Sequence, residues 1–146
     1  MKASRILLAE DSAQDVELTL EALAEHNISN FVDVARDGAE ALDYLFRRGA
    51  HAGRQSGNPV LILLDLKMPR VDGLEVLRAV KADPRLRTIP VVVLTSSREE
   101  QDVVRSYELG VNAYVVKPVQ FDKFVAAVRE LGLFWMLLNE PPPGRG

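Results

Sequence analysis

The side chains of this sequence that could do chemistry stand directly after short apolar runs. Glu10 and Asp11 follow "RILLA", and Asp65 follows "VLILL". Thr95 ends the run "PVVVLT", and Lys117 ends "AYVVK". Burying an unpaired carboxylate in an apolar setting costs several kcal/mol. Three acids in such positions therefore need counter-charges, or they belong to a functional site.

A bound cation and a phosphoryl group would give these residues a common purpose. Oxygen ligands without His or Cys suit Mg²⁺, which would neutralise the repulsion among the three acids. Aspartate also serves as a nucleophile toward phosphorus, which forms an aspartyl phosphate. We therefore interpret Asp65 as the nucleophile, Glu10 and Asp11 as ligands of Mg²⁺, and Lys117 as a second counter-charge.

Taken one at a time, these residues also have plain structural explanations. Glu10 and Asp11 could cap a helix, and Asp65 could cap a loop turn. Thr95 and Lys117 could be an ordinary strand residue and a solvated lysine. Helix capping does not explain why all five fall at the ends of apolar runs, so their joint pattern favours a site.

The elements that must position these residues alternate along the chain. Four of the five apolar runs are nearly continuous, as in strands buried on both faces, and the second alternates as if nearer an edge. Helical patterns follow each run, and Asp37 with Glu40 and Ser97 with Glu100 resemble capping boxes. The predicted strands are 5–10, 31–35, 60–65, 90–95 and 113–117, and the predicted helices are 13–26, 37–49, 72–84, 97–110 and 121–138.

Alternating strands and helices predict an α/β fold, a doubly wound five-stranded parallel sheet with helices on both faces. All strands of such a sheet point their carboxyl ends to one edge, where ligands bind. The predicted acids, Thr95 and Lys117 would therefore meet in one crevice.

Composition excludes several other classes of protein. The chain has 146 residues, a net charge of -3 and no cysteine. It lacks the basic footprint of a nucleic-acid-binding protein, and it cannot form disulfides or a thiolate metal site. The first apolar run is too short for a signal peptide, and none reaches the roughly 18 residues of a membrane span. We expect a cytoplasmic protein without direct nucleic-acid or membrane binding.

The motifs "AEDS", "LLDLKMPRVDGLEVL", "VVVLTSS" and "NAYVVKP" occur in this order over roughly residues 5 to 130. With these motifs in this order, the sequence resembles the receiver domains of two-component response regulators. The resemblance implies a flavodoxin-like (βα)5 fold with strand order 2-1-3-4-5. It also implies a signalling switch rather than an enzyme, which a sensor histidine kinase phosphorylates and which catalyses only its own phosphorylation and dephosphorylation.

The resemblance further assigns roles to single residues. Asp65 would be the phospho-acceptor, and Mg²⁺ would be held by Glu10, Asp11, Asp65 and the backbone carbonyl of Lys67.

Thr95 and Lys117 would contact the phosphoryl oxygens, and Tyr114 would change rotamer together with Thr95. This switch would alter the face formed by the predicted helix 97–110 and the fifth strand. The Lys117–Pro118 peptide bond would be cis, which an X–Pro pair permits.

Two segments depart from an ordinary receiver domain. Residues 47–59 form a longer connection whose three glycines and lack of acids favour a mobile surface loop, although a partner contact is the alternative. The segment "LGLFWMLL" is apolar at all eight positions, so one helix cannot bury it on a single core. We predict a homodimer interface that contains Phe134, Trp135, Met136, Leu137 and Leu138.

We assign residues 1–138 to a receiver domain with an extended C-terminal helix and 139–146 to a flexible tail, with no second domain. In its long connection at 47–59 and its aromatic C-terminal extension, the sequence resembles the stand-alone receivers paired with bacterial phytochromes.

Three other functions fit the sequence less well than the switch. A metal-dependent phosphatase with a D-x-D motif would need a second acid where this chain has Lys67. A degenerate receiver that acts as a binding module independent of phosphorylation would have lost an acid, Thr95 or Lys117. A flavin-binding protein would need a Ser/Thr/Gly-rich phosphate loop where "AEDSAQD" is acidic.

Overall fold

The computed structural model describes residues 5–24, 31–55, 57–96 and 110–132. Its five strands are all parallel and lie in the order β2-β1-β3-β4-β5, which confirms the predicted fold. The central strand β3 is completely buried, and β2 lies at one edge as its alternating sequence indicated. The strands are β1 Ile6–Ala9, β2 Val32–Ala35, β3 Leu61–Asp65, β4 Val91–Thr95 and β5 Ala113–Val116.

Three helices begin at a side chain that accepts a hydrogen bond from the backbone N–H three residues on. These N-caps are Ser12, Asp37 and Asp72. At α2 the second half of the predicted capping box differs, because Oε1 of Glu40 accepts from the backbone N–H of Arg36 rather than Asp37. The helices are α1 Ala13–Leu23, α2 Gly38–Phe46, α3 Gly73–Ala82 and the C-terminal helix Phe121–Glu130. The Ser97–Glu100 pair lies outside the described residues.

The core has two layers, one on each face of the sheet. Helices α2 and α3 bury one face, and α1 and the C-terminal helix bury the other. Among the described helices, none combines the length and apolar character that crossing a membrane would require.

The described residues of the connection between α2 and β3 make specific side-chain contacts with α2. It contains a 3₁₀ turn, Gly49–His51. Nε2 of His51 lies 3.1 Å from Oε2 of Glu40. The guanidinium of Arg54 stacks over the Tyr44 ring at 4.1 Å, and its Nε donates to the Tyr44 carbonyl. The expected mobile loop is thus a turn with specific side-chain contacts, which its glycine content did not indicate.

The C-terminal helix ends at Glu130, before the predicted Leu138. Gly132 has φ +72°, a left-handed conformation that stops a helix and that glycine adopts at little cost. The segment 133–146 lies outside the described residues, and so do Phe134, Trp135, Met136, Leu137 and Leu138. The interface, the domain boundary at 138 and the tail at 139–146 stay predictions.

Candidate functional site

The carboxyl ends of three strands bring Glu10, Asp65 and Lys117 into contact. Nζ of Lys117 lies 2.7 Å from Oε1 of Glu10 and 3.2 Å from Oδ1 of Asp65. Both carboxylates are buried, because Asp65 closes the central strand and Glu10 follows its neighbour β1. The backbone N–H of Glu10 donates to the Ala35 carbonyl of β2, which continues the sheet ladder and holds Glu10 in place.

Asp11 completes a group of oxygens that could hold a metal ion. One carboxylate oxygen each from Glu10, Asp11 and Asp65 lies within 4.8 Å of the others. Oxygens on opposite sides of Mg²⁺ are about 4.2 Å apart, twice the usual Mg–O distance of about 2.1 Å. A small rearrangement would therefore let the three oxygens share one ion. Asp11 is exposed, which leaves one side of the group open to water.

The structure adds a fourth carboxylate that the sequence analysis missed. Nζ of Lys117 donates a hydrogen bond to Oδ2 of Asp15 at 3.1 Å. Asp15 lies in the first turn of α1, one helical turn after Asp11, so its side chain faces the same crevice. The sequence did contain a signal for Asp15, an acid four residues after Asp11 at the start of a predicted helix. Because the first turn of α1 must lie next to the end of β1, such an acid is close to the carboxyl edge of the sheet.

Burial and charge shift the pKa values at this site. Burial raises the pKa of Glu10 to about 7, and the negative charge of Asp65 adds to the shift while Lys117 opposes it. Burial alone would lower the pKa of Lys117. Its bond to Glu10 and the charges of Asp65 and Glu10 outweigh burial, so its pKa is raised and the lysine stays charged.

The other predicted site residues occupy positions around this cluster. Thr95 ends β4, the neighbour of β3, and is fully buried. Tyr114 on β5 is half-buried against the core layer that α2 and α3 cover. The Lys117–Pro118 peptide bond is cis. Lys67 is exposed two residues past Asp65, and its backbone nitrogen lies 3.5 Å from Oδ1 of Asp65.

Two glycines let the loop after Asp65 pack closely on its surroundings. A Cβ at Gly73 would lie 2.3 Å from the backbone oxygen of Asp65, and one at Gly38 would lie 1.8 Å from the backbone oxygen of Val71. Neither position can hold a side chain without moving backbone. The sequence "DG" occurs at the start of both helices, but only the structure reveals that this backbone approach requires the glycines.

The chain is similar to known proteins over most of its length. The family model for the response regulator receiver domain matches residues 6–129. Response regulator Rcp1 of Synechocystis sp. is 43% identical over 131 residues, which cover 90% of this chain and 88% of Rcp1. Its Mn²⁺-bound crystal structure has a TM-score of 0.72 at 41% identity and covers 97% of this chain and 99% of Rcp1.

Two solved structures are more similar still. The bacteriophytochrome response regulator RtBRR has a TM-score of 0.87 at 63% identity, covering 98% of this chain and 86% of its own. The bacteriophytochrome response regulator AtBRR has a TM-score of 0.88 at 61% identity, covering 96% and 100%.

Proposed function

Because the chain belongs to the response regulator receiver domain family, whose members signal through phosphorylation, we propose that Asp65 is its phospho-acceptor. The observation that carries this proposal is the placement of Asp65. It ends the central strand, beside a lysine and within a group of acids that could hold a divalent cation. A degenerate receiver would lack part of this constellation, and here every part is present.

The reaction that fits this arrangement is phosphoryl transfer from a histidine of a sensor kinase. An oxygen of Asp65 attacks phosphorus and forms an O–P bond. The P–N bond to the imidazole breaks, its electron pair stays on the nitrogen, and the histidine leaves. Lys117 stabilises the charge on the phosphoryl oxygens, and the hydroxyl of Thr95 supplies a hydrogen bond to the same group.

Mg²⁺ fits the oxygen-only group of Glu10, Asp11 and Asp65. The backbone carbonyl of Lys67 would be a further ligand. When bound, the ion supplies positive charge against the acids and the phosphoryl oxygens. The chain's own contribution is the rigid spacing of these oxygens, which the strand ends β1 and β3 fix.

The switch is proposed to run through Thr95 and Tyr114. A phosphoryl group adds roughly -1.5 to -2 charge and strong acceptor oxygens, which draw the Thr95 hydroxyl toward Asp65. The space that Thr95 vacates would let Tyr114 turn inward. This would change the face formed by β5 and the predicted helix 97–110, of which only β5 belongs to the described residues.

The partner is proposed to be a histidine kinase of the bacterial phytochrome class. Support comes from two structures named as bacteriophytochrome response regulators, both more than 60% identical to this chain.

We further propose that the apolar segment 131–138 pairs two copies of the protein, since eight consecutive apolar residues exceed what one core can bury.

Phosphodonor labelling tests the central proposal. Incubation with acetyl phosphate and Mg²⁺ should add one phosphoryl group by intact mass. Asp65→Asn should abolish the gain, and so should chelation of Mg²⁺, whereas Asp122→Asn at an exposed position should leave it unchanged. Labelling that survives in Asp65→Asn would disprove the assignment of Asp65.

A further inference from the structure

Lys117 has as many carboxylate partners as it has N–H donors. Its Nζ lies 2.7 Å from Glu10, 3.1 Å from Asp15 and 3.2 Å from Asp65. An ammonium group carries three N–H bonds and no acceptor. Of these three contacts, the one to Asp15 has the geometry of a hydrogen bond, whereas Oε1 of Glu10 has no hydrogen-bond partner. A phosphoryl oxygen on Asp65 that accepts a hydrogen bond from Lys117 therefore competes with Asp15 for this ammonium group.

Burial ranks the three partners by the cost of releasing them. The side chain of Glu10 is 1% exposed and that of Asp65 is 6% exposed, whereas that of Asp15 is 34% exposed. A buried carboxylate that loses its counter-charge has no water to replace it, and this is strongly unfavourable. The carboxylate of Asp15 has a third of its surface in water, so water can replace Lys117 as its hydrogen-bond partner. Of the three contacts, the one between Asp15 and Lys117 therefore costs the least to break.

We propose that Asp15 is a positioning residue for Lys117, which it holds in the unphosphorylated protein and releases to the phosphoryl group. This inference rests on the proposed phosphorylation of Asp65 and adds a residue that competes with the product for the lysine. In the reaction with acetyl phosphate, the new bond joins an Asp65 oxygen to phosphorus. The bond from phosphorus to the acetyl oxygen breaks, acetate leaves with its electron pair, and Lys117 passes from Asp15 to the phosphoryl oxygens.

The electrostatic setting points in the same direction. Glu10, Asp11, Asp15 and Asp65 surround one lysine, so the charges of these five groups sum to -3 when all are ionised, and to -1 with one Mg²⁺. A negatively charged phosphodonor approaches this site against that charge. Asp15 therefore slows phosphorylation in two ways, through repulsion and through its hold on Lys117.

The decisive comparison is Asp15→Asn against Glu17→Gln, which removes the same charge from an exposed position of the same helix. At saturating Mg²⁺, Asp15→Asn should raise the maximal rate of labelling by acetyl phosphate about two- to fivefold above Glu17→Gln, the range for a partly exposed ion pair. Asp15→Glu, which keeps the acid, should stay near the wild-type rate. Loss of the repulsion should lower the half-saturating acetyl phosphate concentration of Asp15→Asn below that of Glu17→Gln, so the maximal rate at saturating donor measures the release of Lys117 separately.

A second readout needs no phosphoryl transfer. The ¹⁵N signal of the Lys117 ammonium should shift in unphosphorylated Asp15→Asn and stay in place in Glu17→Gln.

The outcomes separate the two proposals. If the wild type gains a phosphoryl group on Asp65 but Asp15→Asn is no faster than Glu17→Gln, the role of Asp15 is overturned and the phospho-acceptor stands. An unshifted Lys117 signal in Asp15→Asn would also overturn that role. If the wild type gains none, the proposed function fails together with the inference built on it.

Discussion

Lys117 reaches Asp65 across an intervening strand. The two residues stand at the ends of β5 and β3, which are separated by β4 in the sheet, yet Nζ of Lys117 lies 3.2 Å from Oδ1 of Asp65. The same ammonium also meets Glu10 beyond β1. One side chain therefore bridges the carboxyl edge of the sheet over four of its five strands, and it neutralises acids that would otherwise repel one another.

Removing the charge of Lys117 should destabilise the protein in a way that Mg²⁺ reverses. Lys117→Met keeps much of the side-chain volume but leaves Glu10 and Asp65 buried without a counter-charge. We expect a loss of about 2 kcal/mol in the free energy of unfolding with a chelator present, below the cost for a fully buried pair because Lys117 is partly exposed. Urea unfolding with and without Mg²⁺ measures this, with the exposed Lys123→Met as the control. An equal loss under both conditions would contradict the electrostatic explanation.

The raised pKa of Glu10 predicts an unusual pH dependence of stability. The folded pKa of about 7 lies above the ordinary value of 4.5, so between these values the folded protein binds more protons than the unfolded chain. Stability therefore falls as pH rises through this window, with Glu10 contributing on the order of 2 kcal/mol. Urea unfolding from pH 4.5 to 7.5 in chelator tests this against Glu10→Gln, in which the contribution should vanish. If the free energy of unfolding depends on pH in the same way in the wild type and in Glu10→Gln, the contribution of Glu10 is refuted.

Sequence patterns could predict the strands, the sheet type and the residues at the strand ends, because each depends on short-range information. Continuous apolar runs mark buried parallel strands, and the residue after such a run must lie at the carboxyl edge. The contact of Asp15 with Lys117 was missed because Asp15 lies in the first turn of α1 and not at the end of an apolar run. Finding it requires the additional step that the start of α1 lies next to the end of β1.

The connection at 47–59 illustrates a different difficulty. Glycines and missing acids favoured a mobile surface loop and gave no indication of the contacts that Arg54 makes. Its guanidinium stacks on Tyr44 and donates to the backbone carbonyls of Tyr44 and Gly57. A single arginine with several donors can fasten a turn that is otherwise rich in glycine. The C-terminal helix ends at Glu130 for a different reason: the apolar run continues through Gly132, but the left-handed backbone at Gly132 stops the helix.

Gly73→Ala should damage both stability and metal binding. The added methyl group would lie 2.3 Å from the backbone oxygen of Asp65, so the end of β3 or the start of α3 must move. We expect a loss of about 1–3 kcal/mol in the free energy of unfolding, as for other overpacked sites, and weaker Mg²⁺ binding. Gly53→Ala is the matched control, since an added Cβ there meets nothing within 4 Å. Calorimetric Mg²⁺ titration of both variants measures the effect, and equal affinities would show that the glycine acts on stability alone.

Thr95→Ala should separate phosphorylation from the switch. Asp65 and Lys117 remain in place, so the variant should still accept a phosphoryl group from acetyl phosphate, at a reduced rate. The ring signals of Tyr114 should change on phosphorylation of the wild type and stay unchanged in Thr95→Ala, because the hydroxyl that links the two events is missing. Thr19→Ala removes another buried threonine hydroxyl and controls for general loosening of the core. Unchanged Tyr114 signals in the phosphorylated wild type would exclude the mechanism.

Trp135→Glu should convert a dimer into a monomer. The helix before this segment ends at Glu130, and its apolar residues Phe124 and Val128 are already buried in the core. The apolar residues from Leu133 to Leu138 therefore need another surface, and a second copy of the chain supplies one by two-fold pairing. Light scattering and sedimentation should give twice the monomer mass without phosphate, and the mass should halve in Trp135→Glu. Leu18→Glu, at an exposed position of α1, should remain dimeric, while Val116→Glu tests whether the exposed side chain of Val116 contributes to the contact. A wild type that stays monomeric at high micromolar concentration would instead favour an apolar segment that folds back on its own domain.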